Sequence, residues 1–302
     1  MRFRTTIENP STFYKIIQAV EKLQKRCIIR FTETNIHIIC NSEANEGGMQ
    51  VWSQIKVDSI FTEYRIQSNS NNEITVAVTS EALAAALRSA SGSAINASSS
   101  HETEEVVMKL AKKNDNAVLS FEISGKTGVG RKVNVTHDVR IDVMKPADVD
   151  KLSEPMCPEP DTHILLPPLQ KLRTIIDKLK PMSEILSVRA SNSGCFQLSI
   201  NTESVKVETE WQNLTNPKMG TYSYAQDTPS MLILYRNPND AFGVLVAMRS
   251  FVKFLNSHVI STTTIACICQ KHCLILYVYI GDVAEAGGVL TFYLPAVIDD
   301  GD

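Results

Sequence analysis

Residues 11–26, STFYKIIQAVEKLQKR, carry the clearest local pattern in this chain. Their apolar members recur at i, i+3, i+4 and i+7, the spacing of one helix face; they are Phe13, Ile16, Ile17 and Val20. At about 100° of rotation per residue the basic members fall on the far side; they are Lys15, Lys22, Lys25 and Arg26. The segment therefore predicts an amphipathic helix that packs on a core and presents positive charge outward.

The same unit, a strand followed by one amphipathic helix and several strands, recurs four times along the chain. Helices are predicted at 11–26, 80–91, 168–181 and 249–260. Alternating or β-branched runs predict the strands; these runs are 27–31, 36–40, 50–57, 73–79, 106–111, 133–143, 164–166, 185–190, 196–200, 205–211, 265–269, 274–280 and 289–294. Two such units in each half predict an α+β fold of two similar domains.

A connector separates the two halves. Residues 145–162 hold four of the twelve prolines and five acidic residues against two lysines. Proline lacks the backbone N–H donor and has a fixed φ, so this stretch cannot form an interior helix or strand. We expect an extended connector at 145–162 between an N-terminal domain, 1–144, and a C-terminal domain, 163–302.

Bulk composition bounds the class of protein. The 302 residues are 43% hydrophobic with a net charge of -3, which argues against a surface that is basic all over. No apolar run reaches the roughly 18 residues needed to cross a bilayer, and the start of the sequence has no apolar signal core. We expect a soluble, intracellular protein whose seven cysteines are reduced thiols.

Positive charge is concentrated on the predicted helices. They contain 11 basic and 3 acidic residues, a net +8, so the rest of a chain of net -3 carries -11. For one helix a solvated face is the simpler explanation, but four helices with the same bias favour a shared anionic partner such as a phosphate backbone. The candidate DNA-facing residues are Lys15, Lys22, Lys25, Arg26, Arg88, Lys171, Arg173, Lys178, Arg249 and Lys253.

One glycine-rich segment invites an enzymatic interpretation. Residues 124–130, SGKTGVG, resemble a phosphate-binding loop. Such a loop needs a glycine where Ser120 stands and a helix afterwards, whereas strand-like residues follow at 133–143. A glycine-rich hairpin is the better interpretation. A nucleotide-dependent enzyme built around residues 125–130 remains a competing hypothesis, and it requires binding of ATP or GTP.

A second segment has the residue types of a metal site. Cys267, Cys269, His272 and Cys273 lie within seven residues, but C-x-C-x-x-H-C is not a zinc-finger spacing and apolar strands flank it. We expect buried thiols at a hairpin, with no metal and no cofactor. His137 lies on the apolar face of its strand without a nucleophile nearby in sequence, so we predict no catalytic residue.

Several short segments, in their order and spacing, resemble a known family. They are similar to the hydroxyurea-sensitive (Hus) subunits of the DNA-damage checkpoint clamp, within the sliding clamps typified by proliferating cell nuclear antigen. The loops at 91–105, 212–230 and 281–288 match no pattern. The matching segments are 1–4 (MRFR), 51–53 (VWS), 135–138 (VTHD), 154–155 (EP), 158–161 (PEPD), 165–167 (LLP), 276–280 (LYVYI) and 290–295 (LTFYLP).

The resemblance implies a DNA clamp fold, with antiparallel sheets outside and helices lining the channel of a ring. It implies a non-enzymatic subunit of a heterotrimer with two Rad-type clamp subunits. Such a ring is placed on damaged double-stranded DNA by a clamp loader, without sequence specificity, and supports checkpoint signalling and repair proteins in the nucleus. A homotrimeric replicative clamp of the same fold is the alternative.

The resemblance also implies where neighbouring subunits join. In such clamps the last strand of the first domain pairs with a middle strand of the second, which corresponds here to 133–143 and 205–211. On pattern alone, interior antiparallel strands explain these runs equally well. The candidate interface residues are Val135, His137, Val139, Ile141, Val205, Val207, Thr209 and Trp211.

Overall fold

The protein is described by a computed structural model. Described residues are 1–42, 48–91, 101–127, 130–217, 237–260, 263–281 and 286–297. Most of the loops expected at 91–105, 212–230 and 281–288 therefore lies outside the described residues, namely 92–100, 218–230 and 282–285.

Helices occur where the apolar periodicity predicts them. Each buries its apolar stripe, and a fully buried Phe13 or Ile16 contributes about 1.5–3 kcal/mol. A short helix, α3, lies in the connector. The helices are α1 (Pro10–Leu23), α2 (Ser80–Ala90), α3 (Pro146–Val149), α4 (Leu169–Leu179) and α5 (Met248–Phe254).

The strands form two antiparallel sheets. One sheet has the order β10-β15-β16-β17-β4-β3-β2-β6-β9-β8-β7-β1-β5, and the other has the order β13-β12-β11-β14. The strands are β1 (Arg2–Ile7), β2 (Arg26–Phe31), β3 (Asn35–Cys40), β4 (Gln50–Lys56), β5 (Phe61–Gln67), β6 (Ile74–Thr79), β7 (His101–Lys113), β8 (Asn116–Thr127), β9 (Lys132–Val143), β10 (Thr162–Leu165), β11 (Ile185–Ser191), β12 (Phe196–Asn201), β13 (Lys206–Trp211), β14 (Ala241–Ala247), β15 (Thr264–Cys269), β16 (Cys273–Ile280) and β17 (Gly288–Pro295).

The two halves of the chain share the larger sheet. Strand β17, near the end, pairs with β4, near the beginning, so that Leu290 lies opposite Ser53 and Phe292 opposite Val51. Buried residues of both halves belong to one hydrophobic cluster. A continuous sheet backed by helices results, and it confirms the predicted α+β class.

Two predicted helix ends differ from the structure by three residues or more. Helix α1 ends at Leu23, because Gln24 is extended and Arg26 already pairs with Thr79 in the β2–β6 ladder. The last helix becomes a 3-10 turn over Leu255–Val259. There the Ser257 hydroxyl donates to the Phe254 carbonyl at 2.7 Å, one of several local bonds that compete with regular helix bonding.

Two strands carry no simple alternation in the sequence. In β5 the backbone of Glu63 has φ +49°, and the β1–β5 register shifts beside it, which breaks the period of two. In β14, Phe242, Val244 and Val246 are buried, but Gly243 and Leu245 between them are also non-polar. The order of polar and apolar residues therefore predicts neither β5 nor β14.

The connector is mostly extended, as predicted, but it begins with the four-residue helix α3. It then lies along the β15–β16–β17 surface. Asp161 holds the β15–β16 turn, because its carboxylate accepts from the Gln270 N–H at 2.9 Å. The Tyr293 hydroxyl donates to the Glu154 carboxylate at 2.6 Å. These contacts fix the connector against the C-terminal half.

Candidate DNA-facing helices and subunit edges

Helices α1, α2, α4 and α5 form one layer. Helix α1 packs against α2 on one side, and it contacts α5 and the Leu255–Val259 turn on the other. That turn in turn contacts α4. Helices far apart in sequence therefore present their outer faces side by side, on the surface away from the core.

The candidate DNA-facing residues lie on or beside this layer. Arg173 is half-buried, with its guanidinium 3.4 Å from Nδ1 of His258, and Lys253 is also half-buried. The exposed members are Lys15, Lys22, Lys25, Arg26, Arg88, Lys171, Lys178 and Arg249. The layer thus brings together basic side chains from four segments.

Lys25 and Arg26 are not helical, contrary to the expected helix bounds. Arg26 is the first residue of β2, and its guanidinium forms an ion pair with Asp142 of β9 at 2.5 Å. Both partners are exposed, so the pair is weak and screened by salt. Arg26 therefore lies beside the helix layer with a carboxylate partner of its own.

The layer contains few acidic side chains. On α4, Asp177 accepts from Lys180 at 2.7 Å, and the lysine holds the pKa of that carboxyl below its usual value. Glu21 and Glu81 are the acids of α1 and α2. The remaining cationic groups can contact phosphates by charge and shape alone, without reading bases.

Both strands proposed as subunit edges have an open side. Over Lys132–Arg140, β9 pairs with β8 alone among the described strands, and only its last residues pair with β6. Strand β13 ends the four-stranded sheet and pairs with β12 alone among those strands. An unpaired edge exposes backbone donors and acceptors that another strand can use.

The candidate interface residues on β9 divide into two groups. Val135 and His137 are half-buried beside the open edge. Val139 and Ile141 are 3% and 4% exposed, so their side chains belong to this chain's own core. Ile141 also pairs with Val78 of β6, which removes it from the open edge. Of the four candidate interface residues on β9, Val135 and His137 therefore remain as side chains that a neighbouring subunit could contact.

His137 has an unmet hydrogen-bonding group. Its Nε2 is buried and has no hydrogen-bond partner among the described residues. A buried polar atom without a partner costs free energy. Sequence reasoning placed this histidine on the apolar face but could not show the missing partner, because that depends on every neighbouring strand.

On β13 the candidate residues alternate along an edge. Val207, Thr209 and Trp211 are half-buried on one face, and the Trp211 ring lies 5.6 Å from that of Phe196. Val205 precedes the strand and is 39% exposed. Val207 and Trp211 pack against the core while remaining reachable from the open side.

The glycine-rich segment is a hairpin, as the sequence predicts. Strand β8 runs through Thr127 and pairs with β9 from Lys132 onward, and the Gly130 N–H donates to the Thr127 carbonyl at 2.7 Å. Residues 128 and 129 lie outside the described residues. A strand follows the turn, whereas a nucleotide-binding loop requires a helix. Lys126 forms an ion pair with Glu104.

The cysteine cluster has the properties of a core. Cys267, Cys269 and Cys273 are buried on β15 and β16, and burial raises the pKa of Cys267 to about 12. Metal binding needs thiolates, which such burial disfavours. Over the residues that the structure describes, no group of three or more metal-ligating side chains converges. Nor does any helix there have the length and apolar character to span a membrane.

The architecture matches a solved DNA clamp. Proliferating Cellular Nuclear Antigen from Entamoeba histolytica superposes with a TM-score of 0.68 over 98% of this chain and 99% of that one, at 13% identity. At this identity the likeness defines the fold alone, which is the DNA clamp fold.

The family follows from sequence. The family model described as Hus1-like protein matches residues 1–298, and the chain belongs to that family. Checkpoint protein hus1 of Schizosaccharomyces pombe is 34% identical over 99% of this chain and 100% of its own length. Checkpoint protein HUS1 of Homo sapiens is 28% identical over 98% and 100%. The chain is thus a checkpoint sliding-clamp subunit, of a family of non-enzymatic clamps.

Proposed function

We propose that this subunit assembles with two Rad-type clamp subunits into a heterotrimeric ring that encloses double-stranded DNA. One observation carries the proposal: basic side chains of four helices meet on one layer, while β9 and β13 each keep an open edge among the described strands. Enclosure needs no gripping of bases, because lysines and arginines along a channel balance phosphate charge wherever the ring stands. The ring holds DNA by topology and performs no chemistry.

The open edges of β9 and β13 are the proposed joints. A strand from a neighbouring subunit would complete the ladder along Lys132–Arg140 on one side, and another would pair with β13 on the other. Main-chain hydrogen bonds give such a joint its strength, and half-buried side chains such as Val135 and Val207 give it specificity. A new polar neighbour at the β9 edge would also supply the partner that His137 Nε2 lacks.

We propose the domain division 1–144, 145–162 and 163–302 for this ring subunit. It is supported by the repeated strand–helix–strands units on either side of the connector. In the ring each domain would contribute two of the helices of the channel lining and one of the two joints. The connector would lie on the outside, across the β15–β16–β17 surface.

The loader, the bound proteins and the cellular location that we propose for the ring follow from this mechanism. A closed ring cannot thread onto continuous DNA unaided, so a clamp loader must open it at damaged sites. Once loaded, the ring would hold checkpoint and repair proteins at that place. The ring would encircle chromosomal DNA, so the proposed location is the nucleus.

Light scattering after size exclusion tests the assembly. The purified chain alone should not form a trimer, whereas co-expression with two Rad-type clamp subunits should give a complex with one copy of each. A stable trimer of this chain alone would overturn the heterotrimer and favour the homotrimeric replicative clamp. A chain that stays monomeric with both partners present would contradict the clamp assembly itself.

A further inference from the structure

Three basic side chains stand in one row across adjacent strands at the β5 end of the large sheet. Arg4 of β1 lies directly opposite Arg65 of β5. On its other side Arg4 lies directly opposite Lys109 of β7. Residues directly opposite in an antiparallel pair have Cβ atoms about 4.5–5.5 Å apart and share one face of the sheet. The row therefore runs Arg65–Arg4–Lys109 at right angles to the strands.

The row lies on the opposite face of the sheet from the helices. Phe3 and Ile7 of β1 are buried in the core, and Phe13 of α1 belongs to that same cluster. Successive side chains of a strand point to opposite faces, so Arg2 and Arg4 point away from the helix layer. DNA enclosed on the helix side does not reach this surface.

The charge of the row is largely uncompensated. Lys109 forms an ion pair with Glu122 at 2.5 Å. Among the described residues, none of Arg2, Arg4 and Arg65 forms an ion pair with a carboxylate, and all three are exposed. Like charges directly opposite each other destabilise a sheet. A bound anion would reduce this repulsion between the basic side chains and so stabilise the sheet.

The row borders an open cleft of about 930 Å³. Half-buried Tyr64, Ile66 and Leu110 line the cleft together with the basic residues. The hydroxyl of Tyr64 donates to the Thr32 carbonyl at 2.8 Å, which fixes the ring in place. These three side chains also pack against the core, so they lie on the core face of the sheet and the basic row lies on the other face. Glu33 is the acidic residue of the cleft lining.

The shape of the strand edge favours an extended chain as the occupant. Among the described strands β5 pairs with β1 alone, so its outer edge is open. The irregularity at Glu63 limits regular pairing to the residues after it, which include Arg65. A peptide lying along this edge would run parallel to β5 and place alternate side chains beside Arg65, the member of the row at the edge.

We propose that Arg2, Arg4, Arg65 and Lys109 form a docking surface for an acidic, extended peptide segment of a partner protein. The basic row binds the peptide's carboxylates, beginning with Arg65 at the open edge. The surface is independent of the DNA channel and of the subunit edges, so a clamp could use it while closed on DNA.

Fluorescence anisotropy with the full chain tests the proposal. The probe is a fluorescein-labelled eight-residue peptide with six acidic residues, one phenylalanine and one leucine. The variant Arg4→Glu/Arg65→Glu should weaken its binding at least about tenfold, because like charges then meet. The matched control Lys56→Glu/Lys112→Glu makes the same charge change at exposed lysines outside the row and should bind as the parent does.

Each other outcome has a defined meaning. Equal binding by the parent and the row variant, or an equal loss in the control, would overturn the docking surface. A row variant that lost affinity for duplex DNA as much as for the peptide would assign the surface to nucleic acid instead. If the charge-reversed variant fails to fold, the neutral variant Arg4→Gln/Arg65→Gln takes its place, and undiminished peptide binding by it refutes the proposal.

Discussion

The Nε–H of Arg88 on α2 donates to the hydroxyl of Tyr14 on α1 at 2.9 Å, and its guanidinium lies 5.8 Å from the centre of the same ring. The contact joins α1 and α2 on the basic layer through residues 74 positions apart in sequence. The hydroxyl also holds the pKa of Arg88 above its usual value. The tyrosine thus keeps a cation in place beside Lys15 without neutralising it.

This contact makes Tyr14 a positioning residue for Arg88. Arg88→Ala should remove one phosphate contact and reduce the slope of log affinity against log salt by about 0.9 in the assembled ring. Tyr14→Phe should have a smaller effect, because the ring still attracts the guanidinium. Anisotropy with duplex DNA over a salt series measures both. If Tyr14→Phe lowers the slope in the Arg88→Ala background as well, the two residues act independently.

The helix layer as a whole should control the salt dependence of DNA association. The variant Lys15→Ala/Lys22→Ala/Lys171→Ala/Arg249→Ala removes four exposed charges, and each lost phosphate contact should reduce the slope by about 0.9. Each site should change unfolding free energy by no more than about 0.5 kcal/mol.

A matched variant tests that assignment. It is Lys56→Ala/Lys112→Ala/Lys151→Ala/Lys271→Ala, which removes four exposed charges outside the helices. It should leave the slope unchanged. Identical slopes for the parent and the helix variant would show that these side chains are only solvated.

Two aspartate substitutions separate assembly from folding. Val207→Asp, at the half-buried β13 edge, should weaken ring assembly while the monomer stays folded, at a cost of about 1 kcal/mol. Val139→Asp should instead destabilise the monomer itself, since burying a carboxylate at a position 3% exposed costs on the order of 3 kcal/mol. Circular dichroism reports folding, and light scattering reports assembly. Normal assembly of the Val207 variant would exclude β13 as a joint.

The hairpin at residues 124–130 should tolerate substitution. Lys126→Ala and Thr127→Ala remove an exposed ion pair and a turn hydroxyl, so unfolding free energy should change by about 0.5 kcal/mol at most. ATP and GTP should show no binding in a calorimetric titration of the parent. A folded Lys126→Ala protein that lost nucleotide binding present in the parent would revive the enzyme hypothesis.

Thiol reactivity should follow burial. Cys27, Cys40, Cys267, Cys269 and Cys273 are buried, and burial raises the pKa of Cys27 to about 11. At pH 8 such thiols are almost entirely protonated, and the thiolate is the reactive form. A thiol reagent should modify at most the half-buried Cys157 and Cys195 before unfolding exposes the rest. Rapid modification of Cys267 in the folded protein would contradict its place in the core.

Much of the architecture was predictable from short-range pattern. The four amphipathic helices, the strand runs such as those at 274–280 and 289–294, and the connector follow from residue periodicity and from proline. These signals are local: a helix face repeats every 3.6 residues and a strand face every two. The opposition of Phe13 and Lys15 on α1 needs no information from elsewhere in the chain.

Other features depend on distant residues. Helix α1 stops at Leu23 because Arg26 is drawn into a ladder with Thr79. Strand β5 does not alternate with a period of two, because its register with β1 shifts beside Glu63. Val139 and Val135 alternate identically in sequence, yet Val139 is buried and Val135 is only half-buried.

Residue pattern therefore specified most of the elements, though not β5 or β14, and the concentration of basic charge on the helices. The fold alone set which helices share a layer, which strand edges stay open and which arginines stand opposite one another. The reason is physical: strand register and helix packing join residues such as Arg4, Arg65 and Lys109 across long stretches of chain, and their proximity is a property of the sheet.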